Sequence, residues 1–236
     1  MRILITNDDG IEASGIQKLA EAAKNFGEVW VVAPDGQRSA ASHSYNFHHP
    51  VKVWAWPFPV EGVKAFACSG TPVDCVRVGV LGLMPEKPDL VLTGINQGYN
   101  IAGDIQYSAT VGSALEAAFQ GIRAIAFSQG SLEHQEIVDQ FLPEILEEYI
   151  KKDPGKNRIW NVNFPACSLE ECQGILRDVK VSQDDFYIDT YHEKVLEDGI
   201  SEYHLSYDRN WNASEGTDLF AIAGNYISIG PVNNIS

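Results

Sequence analysis

The sequence predicts an α/β fold: a Rossmann-like, doubly wound, mostly parallel sheet with a C-terminal β-hairpin appendage, in a single domain over 1–236. Three observations predict it. Short apolar runs of buried-strand type alternate with helix-type segments through the first two-thirds of the chain. Several of these runs end abruptly in polar, glycine-containing turns, as strands do when they open at the ligand-binding edge of an α/β sheet. Beyond Pro165 the alternation fails, and β-type stretches follow one another between acidic turns.

The elements follow in order. Ile3, Leu4 and Ile5 form the first strand and end in Asn7-Asp8-Asp9-Gly10. Ser14 can cap a helix reaching about Asn25, which Gly27 stops. Glu28–Ala33 is a second strand, ending at Pro34-Asp35-Gly36 and the polar loop Gln37–Ser44. Strand-like segments Val51–Trp56 and Val63–Ala67 come next, and His48-His49 lies in this strand-like region. Thr71-Pro72, a cap followed by proline at the first helical position, opens a helix to about Leu83.

Leu90–Thr93 is a buried strand that opens into Gly94-Ile95-Asn96-Gln97-Gly98. Ser108–Phe119 is helical and rich in small residues, Arg123–Ser128 a strand, Glu133–Lys151 a helix and Arg158–Phe164 a strand. The segment 174–207, with β-type stretches at Ile175–Val181 and Tyr203–Tyr207, reads as a hairpin appendage. Asp218–Ile229 reads as one or two short strands divided by Gly224-Asn225. Right-handed crossovers would place helices on both faces of the sheet.

Composition bounds the function. The 44% hydrophobic and 21% charged fractions are those of an ordinary globular protein. The formal charge of −15 comes with no basic cluster able to neutralise a run of phosphates, which argues against duplex nucleic acid as a partner. No apolar stretch approaches the roughly 18 residues of a membrane span, so no membrane partner is expected. Met1-Arg2 leads straight into a strand, without the apolar region of a signal peptide. Cys68, Cys75, Cys167 and Cys172 have no metal-type spacing and read as reduced thiols, so a cytoplasmic location is expected.

Three strand ends carry the chemistry: Asp8-Asp9, the Ser39 loop and Asn96. If the strands are parallel neighbours, all three meet at one edge of the sheet. Adjacent carboxylates repel unless a positive charge lies between them, and an oxygen-only donor set suits Mg²⁺, Mn²⁺ or Ca²⁺ better than zinc. Each residue also has an ordinary role open to it: a polar turn for Asp8-Asp9-Gly10, a loop hydroxyl for Ser39 and an Asx-turn for Asn96. Gly103–Thr110 precedes a helix whose N-terminus suits a phosphate, with Ser108 and Thr110 offering hydroxyls, or else is a plain N-cap. Neither GxGxxG nor GxxxxGK[ST] is present, and Gly10 stands where a DxD pair needs its second acid.

Five motifs, in order, resemble the SurE family. They are Asn7-Asp8-Asp9-Gly10; Pro34…Gln37-Arg38-Ser39-x-x-Ser42; Ser69-Gly70-Thr71-Pro72-x-Asp74-Cys75-Val76; Pro88-Asp89-Leu90-Val91-x-x-Gly94-Ile95-Asn96-x-Gly98-x-Asn100; and Asp104-x-x-Tyr107-Ser108-x-Thr110-Val111. The resemblance implies a metal-dependent hydrolase of nucleoside 5′- or 3′-monophosphates. It implies one divalent cation, Mg or Mn, held by Asp8, Asp9, Ser39 and Asn96. Asp8 and Asp9 are the candidate catalytic acids, and Asn7, Ser39, Asn96, Gly98, Asn100, Ser108, Ala109 and Thr110 the candidate phosphate and substrate contacts. A homodimer or homotetramer with an exchanged C-terminal hairpin is also implied. Ala40 and Ala109 depart from the family's usual glycines. Rival readings are a non-catalytic nucleotide-binding protein on the same fold, or a phosphatase of small non-nucleotide esters or polyphosphate.

Overall fold

The computed structural model describes residues 1–234. Nine strands form one sheet. In chain order they are β1 (Arg2–Thr6), β2 (Glu28–Pro34), β3 (Val53–Ala55), β4 (Lys64–Cys68), β5 (Leu90–Gln97), β6 (Arg123–Gln129), β7 (Arg158–Phe164), β8 (Ile175–Arg177) and β11 (Ile227–Asn233), with β9 (Tyr187–Val195) and β10 (Ser201–Arg209) forming a separate hairpin. Across the sheet the order is β3-β4-β2-β1-β5-β6-β7-β11-β8. The run from β4 to β7 is parallel, β3 pairs antiparallel to β4, and β11 pairs antiparallel to β7 but parallel to β8. Ile3, Leu4 and Ile5 are fully buried because β1 lies mid-sheet with helices over both faces.

The helices are α1 (Ser14–Ala23), α2 (Pro72–Val78), α3 (Ala109–Phe119), α4 (Gln135–Tyr149) and α5 (Asp218–Ala223). One face of the sheet packs Ile3, Ile5, Val31, Leu92 and Phe127 against α1 and α4. The other packs Leu4, Val32, Val91 and Ala126 against α2 and α3. The connections β5–α3–β6 and β6–α4–β7 step in the same direction across the sheet, yet α3 and α4 lie on opposite faces. Their crossovers therefore have opposite hands. Those through α1, α2 and α3 share one hand, and the one through α4 departs from the strong right-handed preference. Its consequence is local: the N-termini of α1 and α4 stand on the same face, above the strand ends.

Several expected elements differ in extent or type. The strand expected at Leu90–Thr93 continues to Gln97, with a register shift between Thr93 and Asn96. The helix from Pro72 gives way at Gly79 to a wider turn ending at Leu83. His48 and His49 lie in an exposed irregular loop, not in a strand. Asp218–Ile229, expected as strands, begins instead with α5: Thr217 accepts from the Phe220 N–H, and Leu219 and Ile222 bury one helical face. The hairpin runs over 187–209 rather than 174–207: it starts later because Ile175–Arg177 pairs with β11 in the main sheet, and it ends two residues further on. Its nine-residue strands pair with each other in register from Tyr187↔Arg209 to Val195↔Ser201.

Candidate active site

The carboxyl ends of β2, β1 and β5 are neighbours, so the three polar strand ends meet. After Thr6 the chain turns sharply. The Asn7 side chain donates to the Gly10 carbonyl (2.8 Å) and accepts from the Gly10 N–H (3.2 Å). Gly10 has φ +100°, and a Cβ there would lie 3.2 Å from the Gly36 backbone, so glycine is required where the two loops cross. Asn7 thus shapes the turn that presents Asp8 and Asp9.

Asp8 is buried, and its Oδ1 accepts a 2.5 Å hydrogen bond from the Thr110 hydroxyl. Burial pushes its carboxyl up to about 6, the Thr110 bond opposing and the Asp9 charge adding to the rise. Asp9 is more open, and its Oδ2 accepts from the Gln97 N–H at 3.1 Å. Burial raises Asp9 too, against that backbone bond. Asn96 donates through Nδ2 to the Gly98 carbonyl (3.0 Å), which leaves Oδ1 as its acceptor. The Arg38 N–H donates to the Asp8 carbonyl (2.7 Å), fastening the loop that carries the exposed Ser39 over the end of β1. Ser39 accepts from the Gln37 amide at 3.0 Å.

A second set of contacts seats that loop on α3. Glu116 is the only charged residue of α3, and is buried. It binds His43 (3.0 Å), Arg77 (2.8 Å) and Gln120 (2.8 Å). Burial alone would raise Glu116, but these three hydrogen bonds outweigh it and hold the carboxyl below its ordinary value. A Cβ on Gly112 would stand 2.6 Å from the Ser42 carbonyl oxygen, so glycine permits this approach. Ala40 and Ser42 take left-handed φ of 56° and 52°. A residue with a Cβ pays roughly 1–2 kcal/mol for that conformation, which is why glycine would suit position 40.

At the start of α3, Ser108 is the N-cap and accepts from the Val111 N–H at 3.0 Å, keeping its own hydrogen to donate. The Thr110 hydroxyl is committed to Asp8, so Thr110 can offer an anion its backbone N–H. Among the described residues the Ala109 and Thr110 amides have no acceptor, and they stand at the positive end of the helix next to Asp8. Asn100 lies one step away. Its amide donates to Ser128 (2.7 Å), its N–H to Asn163 (2.8 Å), and its carbonyl accepts from Asn161 and Asn163. That network ties β5 to β6 and β7 rather than opening toward the carboxylates, and Gly98, at φ +123°, is the turn that leads into it.

The structure therefore gathers Asp8, Asp9, Ser39, Asn96, Ala109 and Thr110, and gives Asn7 and Asn100 bracing roles. Among the described residues no cluster of three or more His, Cys, Asp or Glu could hold a metal. Any cation here rests on two carboxylates and neutral oxygens. The donor set, oxygen throughout with two adjacent carboxylates whose charges repel, fits a hard divalent cation. Sequence reasoning missed the Glu116 anchor, whose signal was a lone charge in an apolar helix. It also missed the Asp8–Thr110 bond, across 102 residues, which no local pattern announces.

The family described as "Survival protein SurE" matches residues 3–184. The chain is 38% identical over 237 residues to a 5′-nucleotidase SurE of Clostridium botulinum (strain ATCC 19397 / Type A), covering 99% of this chain and 93% of that one. It is 40% identical over 245 residues to the 5′-nucleotidase SurE of Carboxydothermus hydrogenoformans, with 99% and 90% covered. The crystal structure of the Aquifex aeolicus SurE protein superposes with a TM-score of 0.83 at 34% identity, covering 100% of this chain and 94% of that one.

Proposed function

The chain belongs to the SurE family, and on that footing we propose that it is a metal-dependent phosphomonoesterase that hydrolyses nucleoside 5′-monophosphates to nucleoside and phosphate, with 3′-esters as a further substrate class. The observation that carries this reading is the juxtaposition at Asp8: two neighbouring carboxylates at the switch point of a parallel sheet, bonded directly to the first turn of a helix with two unused amides.

Asp8, Asp9, Ser39 and Asn96 would hold one divalent cation, Mg or Mn. When bound, the cation supplies Lewis-acid neutralisation of phosphoryl charge. The residues do the rest. The Ala109 and Thr110 N–H groups and the Ser108 hydroxyl receive the phosphate oxygens at the helix start. Asp9, the more open of the two acids, takes the proton of the attacking water, while Thr110 keeps Asp8 turned into the site. The bond from phosphorus to the nucleoside oxygen breaks, and that oxygen takes a proton from solvent. Oligomerisation accompanies this reading. Ile188, Tyr191, Val195, Ile200, Tyr203, Leu205 and Tyr207 of the hairpin are all more than half exposed. A lone two-stranded ribbon is marginal in water, and a second copy of the chain supplies its missing surface.

The test is phosphate release from nucleoside monophosphates, with Mn²⁺ or Mg²⁺ and after exhaustive chelation. Turnover should vanish with chelator and return with metal, and Asp9→Asn should lose orders of magnitude with its circular dichroism unchanged. Full turnover in excess EDTA, or none on any nucleotide with metal, overturns the proposal.

A further inference from the structure

A cleft of about 260 Å³ opens beside Asp9, between the starts of α1 and α4. The opposite-handed crossover through α4 creates it, by setting both helix starts on one face above β5 and β6. Its walls include Gln37, Gln97, Gln129, Ile95 and Leu132. The volume falls just under the roughly 300–1,000 Å³ of sites for drug-sized ligands, which suits one planar ring system. Leu132 exposes 41% of its surface at this rim, an apolar face with no partner in the fold.

Gln129 is 2% exposed, and its Oε1 accepts a 2.9 Å hydrogen bond from the Gln135 amide. That bond fixes the orientation of the amide, and Nε2, which donates to no acceptor among the described residues, is the group it can offer the cleft. Gln37 supplies the complement: one of its two Nε2 hydrogens goes to Ser39, and its Oε1 is an acceptor with no donor among the described residues. One donor and one acceptor lining the same small cleft match the C=O/N–H edge of a lactam. Hypoxanthine, guanine and uracil have that edge, whereas adenine and cytosine place an amino group there.

We infer that this cleft is the nucleobase site, with Leu132 against the ring face and Gln129 selecting bases that present a carbonyl. The inference rests on the nucleotidase reading and goes beyond it, since neither the carboxylates nor the helix start distinguishes one base from another. A well-formed amide–base pair discriminates by an amount that corresponds to about 5- to 100-fold.

The experiment measures kcat/KM of the metal-loaded protein on IMP, GMP, UMP, AMP, CMP and para-nitrophenyl phosphate. The variants are Gln129→Glu, which keeps the acceptor for Gln135 but presents a second acceptor to the cleft, and Leu132→Ala. Wild type should favour IMP and GMP over AMP by about 5- to 100-fold. Gln129→Glu should shrink or invert that ratio. Leu132→Ala should raise KM for every nucleotide relative to the aryl phosphate, which holds the inference open to test even if the Gln129 variant fails to fold. A wild-type preference for AMP overturns the inference, as do base ratios identical in wild type and Gln129→Glu, or a Leu132→Ala variant whose nucleotide-to-aryl ratio is unchanged. Failure of wild type to hydrolyse any nucleotide would instead overturn the nucleotidase reading itself.

Discussion

Replacing Thr110 by valine keeps the shape of the side chain and removes the one hydroxyl that touches Asp8. Thr110 is fully buried and Asp8 is 4% exposed, so water cannot easily replace the lost donor. A hydrogen bond to a charged group contributes about 1.5–3 kcal/mol net, and the orphaned carboxylate oxygen would face a methyl. In a domain of this size each kcal/mol moves the melting temperature by roughly 2–4 °C, so Thr110→Val should melt about 3–12 °C below wild type. The measurement belongs at pH 8 without metal, where a carboxyl pushed up to about 6 is ionised. Thr110→Ser retains the hydroxyl and should recover most of the loss, along with nucleotide turnover. A valine variant that melts within a degree of wild type would refute the argument that this bond holds Asp8 in place.

Other outcomes follow from the same contacts. Glu116 sits below its ordinary value, so its contribution to stability is complete above the usual glutamate range and is lost as pH falls through the lowered value. Glu116→Gln should flatten the acid limb of a stability-versus-pH curve, read by thermal melts from pH 3 to about pH 7. Gly112→Ala would place a Cβ 2.6 Å from the Ser42 carbonyl oxygen, displacing the Ser39 loop. Its Mn²⁺ affinity by calorimetry should fall while the sheet's far-ultraviolet dichroism persists. Light scattering at micromolar concentration should give a dimer or larger species, and deletion of residues 187–209 should lower that mass; a monomeric full chain would contradict the exchange.

The layered plan and the meeting of the polar strand ends are legible in the chain alone. Ile3-Leu4-Ile5, Val29–Ala33 and Leu90–Leu92 are apolar on both faces, and such runs need helices on both sides. Asp8-Asp9, Ser39 and Asn96 follow three of these runs directly, so parallel pairing alone was enough to bring them together. Asp218–Ala223 does not show as a helix in the chain because six residues are too few to display a helical period, and its cap at Thr217 works only once Leu219 and Ile222 have a core to enter.

What tertiary structure alone decided is the job of each polar group and the hand of one crossover. Asn100 and Thr110 could each have faced a ligand, but long-range partners commit them to tying strands together and holding Asp8. The start of α4 falls beside that of α1 because packing placed α4 against the Ile3–Ile5 face, a choice that leaves no trace in local periodicity. Hydrophobic pattern specifies which residues are buried and is nearly silent on which buried surface covers them. For that reason the cleft with Gln129 and Leu132 was invisible in the chain and appears only in the fold.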